Sequence, residues 1–511
     1  MSDGSRGKHT VDKDLGRLAN IEEATGFVTR GLVAPGLALV FLVLASVLAS
    51  YHMLGEPRAL VVVVGAAIGA YLALNIGAND VANNVGPAVG ASAMTMTSAL
   101  AMAAIFEIVG ALVAGDTVVT TISNEIVPPA AVSDPALLIR LMLAALISSA
   151  LWINFSTWIG APVSTTHAVV GGVVGGGAAA MGLGAVNWLS VGTIALSWLV
   201  TPLLGAALAI GFQAFVKTFI IYQDDKIAAG RRWIPVLIAL MTGCFAAYLV
   251  SRLATDSGWQ ARMLAGIGCF ALAWLASHRF IRRQSEGMDN RTRSLRHLFR
   301  LPLIGAAALL SFAHGANDLA NAIGPLAAIV HASRLAQVAD VVQIPLWVMM
   351  IGAFGISCGV LLYGPKLIRI VGSEITKLNP MRAYSVALAV AVIVLAASWL
   401  GLPVSSTHIA VGAVFGVGFF REWYNTHSRH RRAYLERKQV RKRGRRKALT
   451  EADDEDDSDE NPRKEPSVEE IKRRKLVRRA HLITILTAWA TTVPASALLA
   501  GMVFFTLGIF S

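Results

Sequence analysis

The sequence predicts an all-α polytopic membrane protein built from two copies of one unit in opposite orientations. Three observations carry that expectation. Hydrophobic residues make up 55% of the chain and charged residues 15%, with a mean hydropathy of +0.59. Apolar runs of about 20 residues recur along it, the length a helix needs to cross a bilayer. Two long motifs each occur twice, in the same order. Lipid offers no partners to backbone polar groups, so only helices or closed barrels span it. The short alternating strands of a barrel are not seen in this sequence.

About thirteen apolar segments follow one another: 33–53, 59–78, 98–115, 137–158, 163–183, 187–215, 233–252, 260–277, 301–328, 344–362, 380–400, 403–420 and 481–510. The last is long enough to tilt or to bend at Pro494. The region up to Arg30 is of mixed charge and lacks the pattern of a cleaved signal peptide. With the N-terminus inside, the basic loops fall inside as well, as the positive-inside rule expects. They carry Lys217, Lys226, Arg231 and Arg232, then a run from Arg279 to Arg300, then Lys366, Arg369 and Lys377. The loop after the third segment falls outside and holds Asp116, Glu125 and Asp134. This placement explains the net charge of +13 without nucleic acid. Cys244, Cys269 and Cys358 are widely spaced in apolar segments and imply neither disulfides nor a zinc site. A cell membrane is the expected location, the inner one if the source is a Gram-negative bacterium.

Internal repetition organises the chain. Gly77-Ala78-Asn79-Asp80-Val81-Ala82-Asn83-Asn84-Val85-Gly86-Pro87 recurs as Gly315-Ala316-Asn317-Asp318-Leu319-Ala320-Asn321-Ala322-Ile323-Gly324-Pro325. Trp158-Ile159-Gly160-Ala161-Pro162-Val163-Ser164-Thr165-Thr166-His167 recurs as Trp399-Leu400-Gly401-Leu402-Pro403-Val404-Ser405-Ser406-Thr407-His408. Trp198 with Thr201 and Pro202 matches Trp489 with Thr492 and Pro494. The division that follows is an N-terminal tail 1–32, an extra helix 33–58, a first repeat 59–215, a linker with two helices 216–300 and a second repeat 301–510. Seven segments separate the two Gly-Ala-Asn-Asp motifs, and an odd number turns the copies over. Inverted repeats with a site at their interface, on broken or re-entrant helices near the midplane, are typical of secondary transporters. The second repeat holds an insert, 421–480, that is basic, then acidic, then basic. Such blocks cannot bury a core. The insert reads as a solvated loop, or as a contact for anionic lipid.

Carboxylates at bilayer depth are expensive and mark function. In helical spacing Asp80 shares a face with Asn84, Asn79 with Asn83, and Asp318 with Asn321; Asn317 adds a further amide. Carboxylate and amide oxygens suit Na⁺ and equally hold a proton. The flanking Gly and Pro would let the backbone unwind and add carbonyl ligands. The Pro-Val-Ser motifs read as helix starts, with Ser164 and Ser405 as N-caps. Such ends bind oxyanions through free N–H groups and a partial positive charge. The hydroxyls of Thr165, Thr166, Ser406 and Thr407 add donors, so two facing helix ends could grip a tetrahedral anion. His167 and His408 are equally readable as proton handlers and as structural residues. Glu107 is an intramembrane carboxylate whose aligned place in the second copy falls near Met349. Asn154 and Thr157 are weaker candidates, with counterparts at Leu395 and Ser398. No bound cofactor or resident metal is expected.

The duplicated Gly-Ala-Asn-Asp and Pro-Val-Ser-Thr-Thr-His motifs resemble those of the PiT family of inorganic phosphate transporters, across both repeats. The resemblance implies ion-coupled phosphate uptake by alternating access, with inorganic phosphate and the lipid bilayer as partners. Ala78-Asn79 is similar to Na⁺-coupled members; some proton-coupled members that take metal–phosphate carry Gly-Phe-His-Asp there. It implies cations at Asp80, Asn83, Asp318 and Asn321, and phosphate at Ser164, Thr165, Thr166, Ser405, Ser406 and Thr407. Departures at Asn84 and Pro87 leave the cation stoichiometry open, and sulfate permeases among the relatives keep sulfate as an alternative. A homo-oligomer is compatible with this class. An intramembrane Ser–His–Asp hydrolase would need one asymmetric constellation, whereas Ser and His recur identically in both copies. A passive anion channel would need no coupling ion.

Overall fold

The computed structural model describes residues 32–132, 134–159, 163–334, 342–374, 378–429, 431–434, 436–437, 440 and 479–509. The N-terminal tail and the charged blocks of the insert from 441 to 478 lie outside them. Local signals set the helix starts. Thr95 Oγ1 accepts from Ser98 N ahead of Met96–Ala114. Asp134 caps Pro135–Trp158 and Asn379 caps Pro380–Trp399, each with proline in the first turn.

In chain order the helices are α1 (Leu32–His52), α2 (Ala59–Asn84), α3 (Gly86–Gly90), α4 (Met96–Ala114), α5 (Asp116–Thr120), α6 (Pro135–Trp158), α7 (Thr165–Met181), α8 (Trp188–Val216), α9 (Lys226–Leu253), α10 (Trp259–Gln284), α11 (Thr292–Leu298), α12 (Arg300–Arg334), α13 (Leu346–Glu374), α14 (Pro380–Trp399), α15 (Ser406–His427) and α16 (Arg479–Ile509). Each of the thirteen apolar segments falls on one of them. Ten helices among the described residues are long and apolar enough to cross a membrane, and the pair α11–α12, bent by 43°, makes an eleventh. The two that fall short are α7 and α15, the helices that open on the duplicated Ser motifs. At 17 residues, about 26 Å of helix, α7 lies at the lower limit for a full crossing. The apolar stretch of α15 is diluted by Ser, Thr and His at its start and by Arg421 and Glu422 near its end.

Burial sorts the helices. The apolar window of α14 is 78% buried and that of α6 67%, against 11% for α1 and α10. The outer helices display Leu37, Leu44, Leu199, Leu203, Leu264 and Leu272. That apolar exterior is what lipid requires.

Helices of the two copies exchange partners. The first copy's α2 packs on the second copy's α13, and α12 packs on α4. A Cβ on Gly77 would overlap the Ile356 carbonyl, and one on Gly315 would overlap the Glu107 carbonyl. Gly359 meets Leu74 as Gly110 meets Phe312. Likewise α16 packs on α7 at Gly171–Val493, and α8 on α15 at Gly412–Pro202. These paired crossings correct one alignment: the counterpart of Glu107 is Ile356 rather than Met349, because the stretch between the first two helices is longer in the second copy. Backbone contacts this close leave no room for a methyl group. Gly77→Ala and Gly315→Ala are each expected to cost about 1–3 kcal/mol, read as a lower thermal midpoint of the detergent-purified protein.

A second expectation needs correction. The Gly-Ala-Asn-Asp motifs are not unwound. Helix α2 runs unbroken through Asn84 and breaks only at Val85, ahead of Gly86-Pro87, whereas α12 runs on through Pro325. Intrahelical hydrogen bonds occupy those carbonyls, so ligands there must come from side chains. Further breaks precede α7 and α15; residues 160–162 of the first lie outside the described set.

Candidate ion and anion site

Helices α2 and α12 carry the two aspartates, and the starts of α7 and α15 come to meet them. Each start is capped as its sequence implies. Ser164 Oγ accepts from His167 N at 3.2 Å and Ser405 Oγ from His408 N at 3.3 Å. The capping residues free the next hydroxyls to point at the carboxylates. Thr407 donates to Asp80 at 2.9 Å and Ser406 to Asp318 at 3.2 Å, while Thr165 stands 3.5 Å from Asp80. The amides bind hydroxyls of the opposite copy: Asn83 donates to Thr407 at 2.9 Å and Asn321 to Thr166 at 3.0 Å. Thr166 in turn donates to the Val404 carbonyl at 3.0 Å.

Some contacts are not shared by the copies. Asn79 turns to its neighbour Asp80 at 3.2 Å. Asn317 instead clamps the loop before α15, donating to Ser398 Oγ and the Leu402 carbonyl and accepting from Val404 N. Asn321 also stands 3.4 Å from Asp318. Asp80, Asp318, Asn317 and Asn321 are all buried, as are Ser164, Thr165, Thr166, Ser405, Ser406 and Thr407. Asn79 and Asn83, by contrast, are half-buried.

The centre holds a residue that sequence reasoning missed. His314 is fully buried; its Nε2 lies 2.8 Å from Asp318 and 3.7 Å from Asp80, and its Nδ1 lies 3.1 Å from Glu107. Glu107, itself fully buried, also accepts from Asn84 at 2.9 Å. Two signals pointed to His314. It precedes Asp318 by four residues, one helical turn, and it replaces Ile76 of the first copy. Glu107 of the first copy and His314 of the second, each with an isoleucine as counterpart, therefore touch each other. At the equivalent positions Ile76 and Ile356 are buried in one apolar cluster. One half of the molecule has an ionisable pair where the other has two isoleucines.

Asp80, His314 and Asp318 each offer one ligand atom, all within 4.8 Å of one another. Two carboxylates with one imidazole between them can hold a cation, or share a proton in its place.

The candidate histidines of the helix starts lie apart from this trio. His167 packs on Trp198 with ring centroids 3.9 Å apart, His408 on Trp489 at 3.5 Å, and the two imidazoles meet edge-on at 4.5 Å. Trp198 also donates to the Pro403 carbonyl at 2.9 Å, tying α8 to the loop before α15. These contacts favour the structural reading of both histidines. Asn154 and Thr157 bond to carbonyls of their own helix and do not reach the carboxylates.

Comparison with known proteins decides the class. The phosphate transporter family matches residues 76–500. The chain belongs to the phosphate transporter family. A candidate phosphate permease of Helicobacter pylori strain J99 is 41% identical, over 97% of this chain and 99% of that protein. Another, from Pyrococcus abyssi, is 36% identical over 69% of this chain and 87% of its own. A solved structure described as the sodium-dependent phosphate transporter superposes with a TM-score of 0.75 at 30% identity, covering 88% of this chain and all of that one. This phosphate transporter family member is therefore a multi-pass membrane transporter and not an enzyme.

Proposed function

We propose that the chain imports inorganic phosphate together with Na⁺, as a secondary symporter working by alternating access across the cell membrane. The observation that carries this reading is the meeting of Asp80 and Asp318, one from each copy, with the hydroxyl-bearing starts of α7 and α15. Carboxylates buried beside a hydroxyl cluster repel a bare anion. A cation bound to them offsets that charge and makes phosphate entry favourable, so each ion waits for the other. Asp80, Asp318, Asn83 and Asn321 hold the cation side. Asn79, Asn84, Asn317 and Glu107 shape it. Ser164, Thr165, Thr166, Ser405, Ser406 and Thr407, with the helix-start N–H groups behind them, face phosphate. The repeats, 59–215 and 301–510, would rock against each other in inverted orientation. The printed name of the solved relative supports Na⁺ as the coupling ion.

One observation favours a second reading. His314 lies between the two aspartates, where a protonated imidazole would take the place of a cation. Proton coupling would use that residue. Phosphate-32 uptake into proteoliposomes separates the two: a Na⁺ gradient drives uptake in the first, a pH gradient alone in the second. Uptake under neither gradient would remove the phosphate assignment.

A third expected outcome concerns the anion side. Thr407→Val keeps shape but deletes the hydroxyl that joins Asn83 to Asp80. A buried hydrogen bond to a charged group contributes about 1.5–3 kcal/mol. Uptake is expected to fall by about tenfold or more, seen in the concentration dependence of phosphate-32 uptake.

A further inference from the structure

One end of the bundle carries a cationic feature that the transport site does not use. The turn after α3, the segment around α11 and the first turn of α14 border a cavity of about 730 Å³ that is open to solvent. Arg291, Arg293, Arg296, Arg300 and Arg382 line it with His297, and Asp289 is its one lining carboxylate. Asp289 pairs with Arg291 at 3.5 Å. Among the described residues, no carboxylate stands within ion-pair distance of Arg293, Arg296, Arg300 or Arg382. Asn379 and Pro380 also line the cavity, which puts the positive end of the α14 dipole at its wall.

The charge continues behind the wall. Arg382 lies in electrostatic reach of Arg296 and of Arg421, and Lys217 in reach of Arg382, Arg421 and Arg431. Lys217 is 6% exposed, and its ammonium sits 4.3 Å from the Tyr424 ring without a hydrogen-bond partner. Like charges brought together where water is partly excluded repel one another. An anion seated among them relieves that cost.

We infer that this cavity is a second anion site, separate from the transport site, and that it takes an anion bearing two or more phosphate groups. Guanidinium groups engage phosphate in bidentate pairs, and five arginines exceed what one orthophosphate can use. The cavity is also remote from the aspartates. Arg382 and Ser398 are 16 residues apart on α14, about 24 Å of helix. Because α14 also carries Ser398, the partner of Asn317, an anion that fixes its first turn acts on the loop clamp at its other end and so on the transport rate. The charge bias of these loops places the cavity on the cytoplasmic face. Two sources share the required chemistry there: a soluble polyphosphate and the headgroup of a diphosphate lipid such as cardiolipin.

The test uses the full chain in phosphatidylcholine nanodiscs. Inorganic tripolyphosphate binding is measured by calorimetry, and cardiolipin retention by native mass spectrometry after adding that lipid to the discs. Arg296→Ala/Arg382→Ala is expected to weaken whichever ligand binds by about tenfold or more. Arg293→Ala/Arg300→Ala, at exposed positions where folding is not at risk, should give a smaller loss in the same direction. Asp80→Asn should leave binding unchanged. Binding of tripolyphosphate alone assigns the soluble source, and binding of cardiolipin alone the lipid one. No binding of either, equal binding by both arginine variants and the parent, or loss of binding in Asp80→Asn overturns the inference.

Discussion

Asp80→Asn and Asp318→Asn are each expected to abolish coupled phosphate uptake while leaving the protein folded and inserted. Asparagine keeps the volume and can still accept from Thr407 or Ser406 through its carbonyl oxygen. What it removes is the negative charge. A buried charge that loses its partner costs about 3–5 kcal/mol, which is about a hundredfold or more in ion affinity. The two carboxylates come from different copies and approach the same imidazole, so neither can replace the other. Phosphate-32 uptake at saturating Na⁺ checks the loss, and size-exclusion chromatography checks the fold. Normal uptake by both variants would take the carboxylates out of the mechanism.

The second large effect concerns Glu107 and His314. Both are fully buried, and each is the other's hydrogen-bonding partner at 3.1 Å. Glu107→Ala leaves His314 with the aspartates alone, and His314→Ala leaves Glu107 with Asn84 alone; each is expected to destabilise by about 3–5 kcal/mol. The other half of the molecule suggests the repair, since Ile76 and Ile356 hold the equivalent places. The double variant Glu107→Ile/His314→Ile should recover part of the lost stability, because a packed apolar pair commonly matches a buried polar one, while Asp318 still lacks its imidazole partner. It should not recover transport. Thermal unfolding together with uptake separates the two roles. A double variant that transports like the parent would make the pair purely structural.

Much of the site was legible because the chain repeats itself. Duplicated motifs named both aspartates, the amides and the hydroxyl-rich helix starts, and the N-caps at Ser164 and Ser405 follow from side-chain chemistry alone. Two features were hidden for physical reasons. Helix α2 continues through its glycines because α13 packs directly against Gly77, and sequence alone shows no such neighbour. The partnership of Glu107 with His314 spans 207 positions, and a shifted alignment set Glu107 against the wrong residue. His314 was nonetheless within reach of a copy-to-copy comparison, as the histidine that stands where the first copy has Ile76. The helix starts are nearly matched between the copies, whereas the ionisable pair stands at the α4–α12 crossing and isoleucines at the α2–α13 crossing.

The most direct test of the central claim counts both ions in the same vesicles. Proteoliposomes loaded without sodium or phosphate are given sodium-22 and phosphate-32 together, then each alone. Coupling through the paired aspartates predicts that sodium enters only with phosphate, in a fixed ratio, and that Asp80→Asn and Asp318→Asn stop both fluxes. Phosphate entry with no accompanying sodium flux would contradict it.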